Sequence, residues 1–284
     1  MWTLPQPTVD DASDDLTAAL TLRDGTSVYP LSPQERAAVF AVYQAYDALG
    51  GQPGDGLVPP ALSDATRTAL ETAYGQVQIN GRLAALRDRL LLSVNVCPLC
   101  GFGEPRELDH YLPKSVYKAL AIYARNLVPC CSGCNNAKRA LDPAQGRRFI
   151  HPYFAALPAH TFLRATAQFA DGKLTVTFAI ASDGLDPALA DALNHQLERL
   201  RLNDRYDRQV NTFLFGIASG LEDLLEDRFH AELRAFFTRS AARMAVRFGL
   251  NDWRPATLNA LAGCDAFIQG GALVYFGQNP AYGG

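Results

Sequence analysis

Residues 97–138 decide the expected fold, and their sequence is CPLCGFGEPRELDHYLPKSVYKALAIYARNLVPCCSGCNNAK. Two Cys-x-x-Cys pairs, Cys97 with Cys100 and Cys131 with Cys134, lie near its two ends, with 30 residues between them. Two such pairs can bring four thiolates to one ion, the closed tetrahedral shell that structural zinc prefers. The spacing therefore predicts a structural zinc site that ties the two ends of the stretch together.

The other cysteines are expected to be structural. Five of the six cysteines fall in this stretch, and their paired spacing is typical of a metal site rather than of a secreted disulfide framework. Only Cys131 has the two-residue spacing to Cys134, so we expect Cys130 and the isolated Cys264 to be small buried residues. The alternative is a set of reduced thiols without metal. A zinc hydrolase is excluded because four cysteines leave no open coordination position.

Composition bounds the class of protein. The 284 residues are 48% hydrophobic and 19% charged, which is too apolar for a disordered chain. A net charge of −3 excludes a uniformly basic nucleic-acid binder. Residues 97–148, however, carry eight cations and four acids, so this segment permits phosphate binding. No signal peptide or long apolar run is evident, so we expect a cytoplasmic protein without a membrane span.

Periodicity predicts helices before the stretch and a mixed region after it. Ser32-Pro33-Gln34-Glu35 is typical of a helix start, and Gly50-Gly51 of its end. Asp171-Gly172 lies between two alternating segments and predicts a hairpin. The remaining predicted elements are helices at 63–74 and about 82–92, a helix from Asp186-Pro187, and a helical region over 204–248 that breaks near Gly216 or Gly220. We expect three regions, 1–92 helical, 93–150 around the zinc site, and 151–284 α+β and mostly helical.

The stretch itself predicts two strands and a helix. Residues 108–112 and 126–129 have strand character, and residues 132–139 form a helix beside the second cysteine pair. Asp109-His110 lies on the first strand, Asn126 opens the second, and Asn135 lies on the helix. In this order, over about residues 95–140, the chain resembles the ββα-metal (His-Me finger) fold of HNH endonucleases. Leu-Asp-His-Tyr-Leu-Pro-Lys-Ser, Asn-Leu-Val-Pro and His-Pro-Tyr-Phe look most like bacterial anti-phage members, such as the HNH subunit of the Septu system.

The resemblance implies a second metal site with hard ligands. Asp109 and Asn135 would hold a catalytic Mg²⁺ or Mn²⁺. His110 would be the general base, and Asn126 would hold the loop that orients it. The third family position is usually histidine; asparagine there favours Mg²⁺ over Zn²⁺ or Ni²⁺. Asn135-x-x-Lys138 fits the family pattern, which favours Asn135 over its neighbour Asn136.

Each of these assignments has a structural alternative. In the structural alternative, Asp109-His110 is a surface pair without a catalytic role, and Asn126 caps a turn. The candidate nucleic-acid contacts are Lys138, Arg139, Arg147 and Arg148. The alternative for Lys138 and Arg139 is that they form a solvated helix end. His151 is a candidate for phosphate contact or proton transfer, and its alternative is packing beside Pro152 and Tyr153.

The sequence therefore predicts an α+β, mainly helical chain around a central zinc-bound ββα-metal core, with a small C-terminal β-hairpin. The expected function is a metal-dependent HNH endonuclease that hydrolyses DNA phosphodiester bonds, in bacterial anti-phage defence. The alternative is a zinc-organised nucleic-acid-binding or partner-binding module without catalysis. By analogy with defence nucleases, an ATPase partner or self-association is expected of the flanking regions.

Overall fold

The structure is a computed structural model that describes residues 3–146, 148–221, 224–225 and 230–277. It is α+β, with many helices and two small antiparallel strand pairs. The described chain divides into two compact units, Thr3–Leu157 and a C-terminal unit that begins at Pro158. The first unit thus includes both the N-terminal helices and the cysteine-rich stretch.

The N-terminal unit contains five helices and one strand pair among its described residues. These are α1 (Ala12–Leu20), α2 (Pro33–Ala48), α3 (Asp64–Ala73), α4 (Ala84–Leu92), β1 (Glu107–His110), β2 (Leu127–Cys130) and α5 (Ser132–Lys138). Short 3₁₀ turns at Lys118–Leu120 and Ala124–Asn126 shape the loop between the two strands. The predicted strand–strand–helix order within the stretch is present, with strand ends shifted by one or two residues.

Helix α2 begins and ends where its sequence predicts. The Ser32 hydroxyl accepts a hydrogen bond from the Glu35 amide at 3.2 Å, and the Glu35 carboxylate accepts one from the Ser32 amide at 2.9 Å. This reciprocal capping box satisfies two amides that the first turn leaves unpaired. The helix stops at Gly50 and Gly51, both with positive φ. Tyr46, on its buried face, is fully enclosed.

Strands β1 and β2 pair antiparallel, with His110 opposite Leu127 and Asp109 opposite Val128. Every residue of β2 is buried, so this strand is an interior element rather than an exposed edge. One hydrophobic core runs from Leu16 and Leu70 of the helices to Leu127. The N-terminal helices therefore cover the strand pair and its loop instead of forming a separate layer.

The C-terminal unit, as far as it is described, packs helices against the second strand pair. Its elements are β3 (Leu163–Ala170), β4 (Lys173–Ile180), α6 (Pro187–Arg199), α7 (Leu202–Gly216), α8 (His230–Phe248), α9 (Trp253–Gly263) and α10 (Ala272–Gly277). The predicted C-terminal hairpin is confirmed, and Asp171 and Gly172 have positive φ of 51° and 73°, as a two-residue turn of the primed type requires. The Asp186 carboxylate caps α6 as expected.

The helical region predicted over 204–248 is interrupted after Gly216 by a 3₁₀ turn at Ala218–Gly220. Among the described residues, no single helix has the length and hydropathy needed to cross a membrane. By length and composition alone, α9 and the segment Phe267–Gly277 pass that criterion together, although an 86° bend separates them.

Candidate functional site

The four predicted zinc ligands lie together. The sulfur atoms of Cys97, Cys100, Cys131 and Cys134 are all within 4.8 Å of one another, and all four residues are buried. The sulfurs of Cys100 and Cys131 are 3.8 Å apart. A tetrahedral zinc with bonds of ~2.3 Å separates its sulfurs by about 3.8 Å, whereas a disulfide needs ~2.05 Å. The cluster therefore has the dimensions and donor chemistry of a tetrathiolate zinc site.

Two tight turns create this cluster. After Cys97, the chain reverses through Gly101, whose φ of 78° suits glycine, and the Gly101 amide donates to the Cys97 carbonyl at 2.8 Å. The Gly103 amide donates to the Cys100 sulfur at 3.4 Å. A Cβ at Gly103 would lie 2.7 Å from the Cys131 sulfur, so the backbone approaches the cluster too closely for any side chain.

The geometry of the cluster selects Cys131 rather than Cys130 as its fourth sulfur. The pKa of Cys131 is lowered because its sulfur accepts hydrogen bonds from Cys100, Cys134 and Cys97. A thiolate is the form that binds metal. Cys130, its neighbour, is buried but lies outside the four-sulfur group, and burial raises its thiol pKa. The assignment of Cys131 rather than Cys130 to the cluster is therefore what the geometry favours.

His110 is a buried imidazole with a defined tautomer. Its Nε2 lies 2.8 Å from the Ala121 carbonyl oxygen. A carbonyl can only accept, so Nε2 carries the proton and Nδ1 is the acceptor atom. Burial lowers the pKa of His110 to about 4, which keeps the ring neutral at pH 7. The Tyr74 ring packs against it at 4.4 Å between centroids.

Asn126 holds the loop that carries this carbonyl. It is fully buried, and its amide nitrogen donates to the carbonyls of Leu112 at 3.0 Å and Leu120 at 3.2 Å. Its side-chain oxygen accepts from the Leu112 amide at 2.8 Å. These bonds fix both ends of the loop, and Leu120 immediately precedes Ala121. The arrangement suits the loop-holding role that the family resemblance implies for Asn126.

Tyr46 and His151 extend this network into the N-terminal helices. The Tyr153 amide donates to Nδ1 of His151 at 3.1 Å, so Nε2 of His151 carries the proton and donates to the Tyr46 hydroxyl at 2.8 Å. The Tyr46 hydroxyl then donates to the Asn126 side-chain oxygen at 3.2 Å. Burial lowers the pKa of His151 to about 3. His151 is thus a buried member of a directional chain of hydrogen bonds.

Asp109 and Lys138 form a buried ion pair. The Lys138 ammonium lies 2.8 Å from the Asp109 carboxylate and also donates to the His110 carbonyl at 2.7 Å. Asp109 is 8% exposed and Lys138 3%. Burial raises the pKa of Asp109 although Lys138 opposes the shift. The pair joins β1 to α5, and the carboxylate already has one cationic partner.

Asn135 contacts a residue that the sequence did not single out. Its amide nitrogen donates to the Glu107 carboxylate at 2.6 Å. Glu107 and Asp109 of β1 and Asn135 of α5 therefore contribute side-chain oxygens where these two elements meet. Asn136 is exposed. Among the described residues, only the four cysteines bring three or more His, Cys, Asp or Glu ligand atoms together, so no ready-made carboxylate cluster surrounds Asp109.

The four predicted nucleic-acid contacts have different settings. The ammonium of Lys138 is occupied by Asp109, so a phosphate contact would require that pair to open. Arg139 is exposed at the end of α5. Arg148 is half-buried and donates to Gln52 at 3.0 Å. Arg147 lies outside the described residues. Arg139 is accordingly the one of these cations that presents a free, described guanidinium to solvent.

Sequence reasoning missed the contributions of Tyr46, Glu107 and the Ala121 carbonyl. Tyr46 follows the helical spacing of α2 as any core residue would, so only the tertiary structure reveals its hydroxyl bond. Glu107 directly precedes the predicted strand, and its spacing two residues before Asp109 places both on one face. That period-two spacing was a usable signal.

No family model matches the chain, and no solved structure matches it. A curated protein, Protein ea31 of Escherichia phage lambda, is 37% identical over 71 residues. The match covers 23% of this chain and 23% of that protein, so the chain spans about a quarter of the length of the relative it matches. The name of this relative states no activity, and a match of this extent does not assign a family.

Proposed function

We propose that this chain is a metal-dependent endonuclease of the HNH type that hydrolyses phosphodiester bonds of DNA. The observation that carries the proposal is His110, a neutral imidazole whose Nε2 bond to the Ala121 carbonyl leaves Nδ1 as a proton acceptor. It lies on the first strand of a strand–strand–helix unit whose ends meet at four cysteines. The same order of residues and elements supports the resemblance to HNH endonucleases.

His110 is the general base in this proposal. Nδ1 takes a proton from the attacking water, and the Ala121 carbonyl then stabilises the Nε2 proton of the imidazolium that forms. A substrate phosphate beside the ring favours that imidazolium and raises its pKa from the low value of the free protein. Asn126 contributes by holding the loop in place, since it binds the backbone on both sides of it.

Asp109 and Asn135 would hold the catalytic Mg²⁺ or Mn²⁺. Carboxylate and amide oxygens suit such an ion, and a buried carboxylate such as Asp109 is stabilised by cationic partners, of which Lys138 is one. When bound, the ion supplies charge relief at the scissile phosphate and the leaving oxygen. Lys138 lies against the same carboxylate, so it competes with the ion for Asp109 and sets how strongly the ion binds.

The cysteine cluster would hold a structural Zn²⁺ in the same unit. Four buried thiols leave no open position for water, so the cluster provides cross-linking rather than catalysis. Cys131 lies directly before α5, and Cys97 precedes β1. An ion here would therefore fix the helix that carries Asn135 relative to the strand that carries Asp109.

The proposed setting is bacterial anti-phage defence in the cytoplasm, with DNA favoured over RNA as substrate. It rests on the likeness of the Leu-Asp-His-Tyr-Leu-Pro-Lys-Ser, Asn-Leu-Val-Pro and His-Pro-Tyr-Phe segments to anti-phage HNH proteins. An ATPase partner and self-association belong to the same proposal.

A cleavage assay tests the activity. Purified protein is incubated with duplex DNA, single-stranded DNA or RNA, and with Mg²⁺, Mn²⁺ or no added divalent ion. Each reaction is run with the protein alone and with a candidate ATPase partner. We expect ion-dependent cleavage that His110→Ala abolishes while the zinc content per chain is unchanged. His160→Ala, which replaces an exposed histidine in the C-terminal unit, is the control. Absence of cleavage under every condition, or full activity in His110→Ala, would refute the enzyme.

One observation favours a second candidate, a zinc-organised binding module without catalysis. The ammonium of Lys138 already satisfies Asp109, as expected for a site that has lost its catalytic ion. A metal titration separates the two candidates. A binding module holds zinc alone, whereas the endonuclease holds zinc and a second, exchangeable divalent ion whose binding Asp109→Asn weakens.

A further inference from the structure

Strand β3 has a free outer edge in the C-terminal unit. Among the described residues it pairs with β4 alone, and a two-residue turn joins the two strands. In such a hairpin the residues that flank the turn, Ala170 and Lys173, exchange both backbone hydrogen bonds, and bonded and non-bonded pairs then alternate along the ladder. The backbone groups of Ala165 and Ala167 therefore point away from β4, toward the outer edge of the sheet.

The contacts of two asparagines agree with this alternation. The amide of Leu163, which lies two residues before Ala165 and points to the same edge, donates to the Asn251 side-chain oxygen at 3.0 Å. On the outer edge of β4, Asn203 accepts from the amide of Phe178 at 2.7 Å and donates to its carbonyl at 3.1 Å. Phe178 is the register partner of Ala165, so the outward direction of one implies that of the other.

Part of the β3 edge has no covering group. The amides and carbonyls of Ala165 and Ala167 make no hydrogen bond within the part of the chain that the structure describes. Asn251 covers the edge before them, and beyond them the Phe169 ring packs against Phe267 at 5.9 Å between centroids. The free stretch thus offers two donors and two acceptors, repeated every ~6.8 Å, which is the pattern that an added strand pairs with.

An open groove runs along this edge. It has a volume of about 690 Å³ and lies between β3 and α8, with α9 beneath it. Five consecutive residues of β3, 163–167, line it, as expected for the edge of a strand rather than for one of its faces. A strand in a packed layer takes up roughly 160 Å³ per residue, from a rise of ~3.4 Å, a strand spacing of ~4.8 Å and ~10 Å between layers, so the groove holds about four residues of a single strand.

The other walls of the groove are uncharged. A Cβ added at Gly263, on the floor, would meet no packed neighbour within 4 Å, so the floor has room for the side chains of a ligand. Arg164 is the one ionisable residue among the described residues of the groove; it is exposed on the solvent-facing side of β3 and has no acidic partner within that part of the chain. The small side chains that line the groove from α8 and α9 are Thr238, Ala241, Ala242, Ala245, Ala256 and Ala260. The groove therefore suits apolar side chains at its floor and a carboxylate at its solvent-facing rim.

We propose that this edge binds an extended peptide segment of another protein as a third strand, with apolar side chains toward α9 and a carboxylate beside Arg164. The backbone bonds of Ala165 and Ala167 provide the affinity, and cross-strand attraction between opposite charges favours an acidic segment. A second copy of this chain would bring its β4 together with its β3, whereas α8 leaves space for one strand. The inference goes beyond the proposed endonuclease and does not depend on it, since it requires neither metal nor catalysis.

The first experiment measures fluorescence anisotropy with the intact chain and a fluorescein-labelled peptide, Thr-Val-Glu-Val-Thr, blocked at both ends. Two further peptides carry N-methyl groups, one on the amides of both valines and the other on the amides of the glutamate and the last threonine. Successive residues of a strand direct their backbone groups to opposite sides, so only one of these two sets of amides faces β3. We expect saturable binding of the parent peptide, a loss of about 30-fold in one methylated peptide from two missing hydrogen bonds, and an affinity within about threefold of the parent in the other.

The second experiment tests the charge at the rim. Arg164→Glu should weaken binding of the parent peptide about fivefold and strengthen binding of the same peptide with lysine in place of glutamate. The matched control is Gln168→Glu, which adds a carboxylate on the same solvent-facing side of β3 but outside the groove, and should change the affinity by less than about twofold.

No saturable binding of the parent peptide, equal affinities of the two methylated peptides, or an equal effect in the control would overturn the proposal. So would a concentration-dependent dimer of the chain that excludes the peptide, because the occupant of the edge would then be a second copy.

Discussion

Replacing Tyr46 with phenylalanine should destabilise the loop that orients His110. The substitution removes one oxygen atom and keeps the ring, so the packing of Tyr46 against Tyr123 and Phe154, at 5.9 Å between centroids for each, is preserved. The substitution removes the hydrogen bonds of the hydroxyl to His151 at 2.8 Å, to the Asn126 side-chain oxygen at 3.2 Å and to the Arg125 carbonyl at 3.4 Å. No cavity larger than a hydroxyl results.

The expected loss in the free energy of unfolding follows from the hydrogen-bonding groups that the substitution leaves unpaired. Asn126 keeps the Leu112 amide as a donor to its oxygen, whereas Nε2–H of the buried His151 loses its acceptor. An unsatisfied buried donor costs about 1–3 kcal/mol, so we expect a loss of about 2 kcal/mol. With an m-value of about 2 kcal/mol per M in urea, the unfolding midpoint shifts by about 1 M.

The assay is hydrogen–deuterium exchange of peptides that cover residues 107–130, measured in increasing urea, which reports on the N-terminal unit alone. Tyr43→Phe is the control, because Tyr43 is also buried in α2 but its hydroxyl has no hydrogen bond to a described residue. We expect its effect to stay within about 0.5 kcal/mol. If the two variants lose the same stability, the hydroxyl bonds of Tyr46 do not support the loop.

Three further predictions concern the site. Cys131→Ser should lower the zinc content measured by elemental analysis from about one ion per chain to nearly none, whereas the control Cys130→Ala should keep the bound zinc. Equal zinc contents in the two variants contradict the ligand assignment. Burial holds the pKa of His151 near 3 in the folded chain, whereas an unfolded histidine titrates near ~6.5, so the stability that the neutral ring contributes is complete above pH ~6.5 and is lost as the pH falls. By pH 4.5 the loss in the free energy of unfolding is about 3 kcal/mol. His151→Gln should remove that part of the pH dependence in urea unfolding. Lys138→Met leaves Asp109 without a cation and should lower the free energy of unfolding by about 3 kcal/mol. In thermal unfolding, millimolar Mg²⁺ should stabilise this variant more than it stabilises the wild-type chain. Equal stabilisation of both argues against an ion at Asp109.

Local signals predicted many elements of the chain, but not helix α1, because the polar composition of the first thirty residues predicts an extended segment there. The Ser32 capping box, the Asp171-Gly172 turn and the two Cys-x-x-Cys pairs each involve residues within a few positions of one another. Their geometry is therefore determined by short-range chemistry that spacing reveals.

Long-range partners could not be predicted in the same way. The bond between Tyr46 and Asn126 joins residues 80 positions apart, and neither residue type at its position distinguishes a network from ordinary packing. The pairing of Lys138 with Asp109 is another example, since a lysine at a helix end predicts an exposed side chain. Both pairs join elements that are far apart in the sequence, and such pairings are not specified by local sequence signals.

Gly103 makes the cysteine cluster sensitive to a residue that contributes no ligand. Any larger amino acid would press its first carbon against the Cys131 sulfur, at a separation no packed pair of these atoms tolerates. In a saturation mutagenesis screen, this glycine should therefore be as intolerant of replacement as the four cysteines. Substitutions at five positions, the four cysteines and Gly103, should therefore disrupt the cluster. The role of Gly103 is evident only from the short distance between its backbone and the Cys131 sulfur.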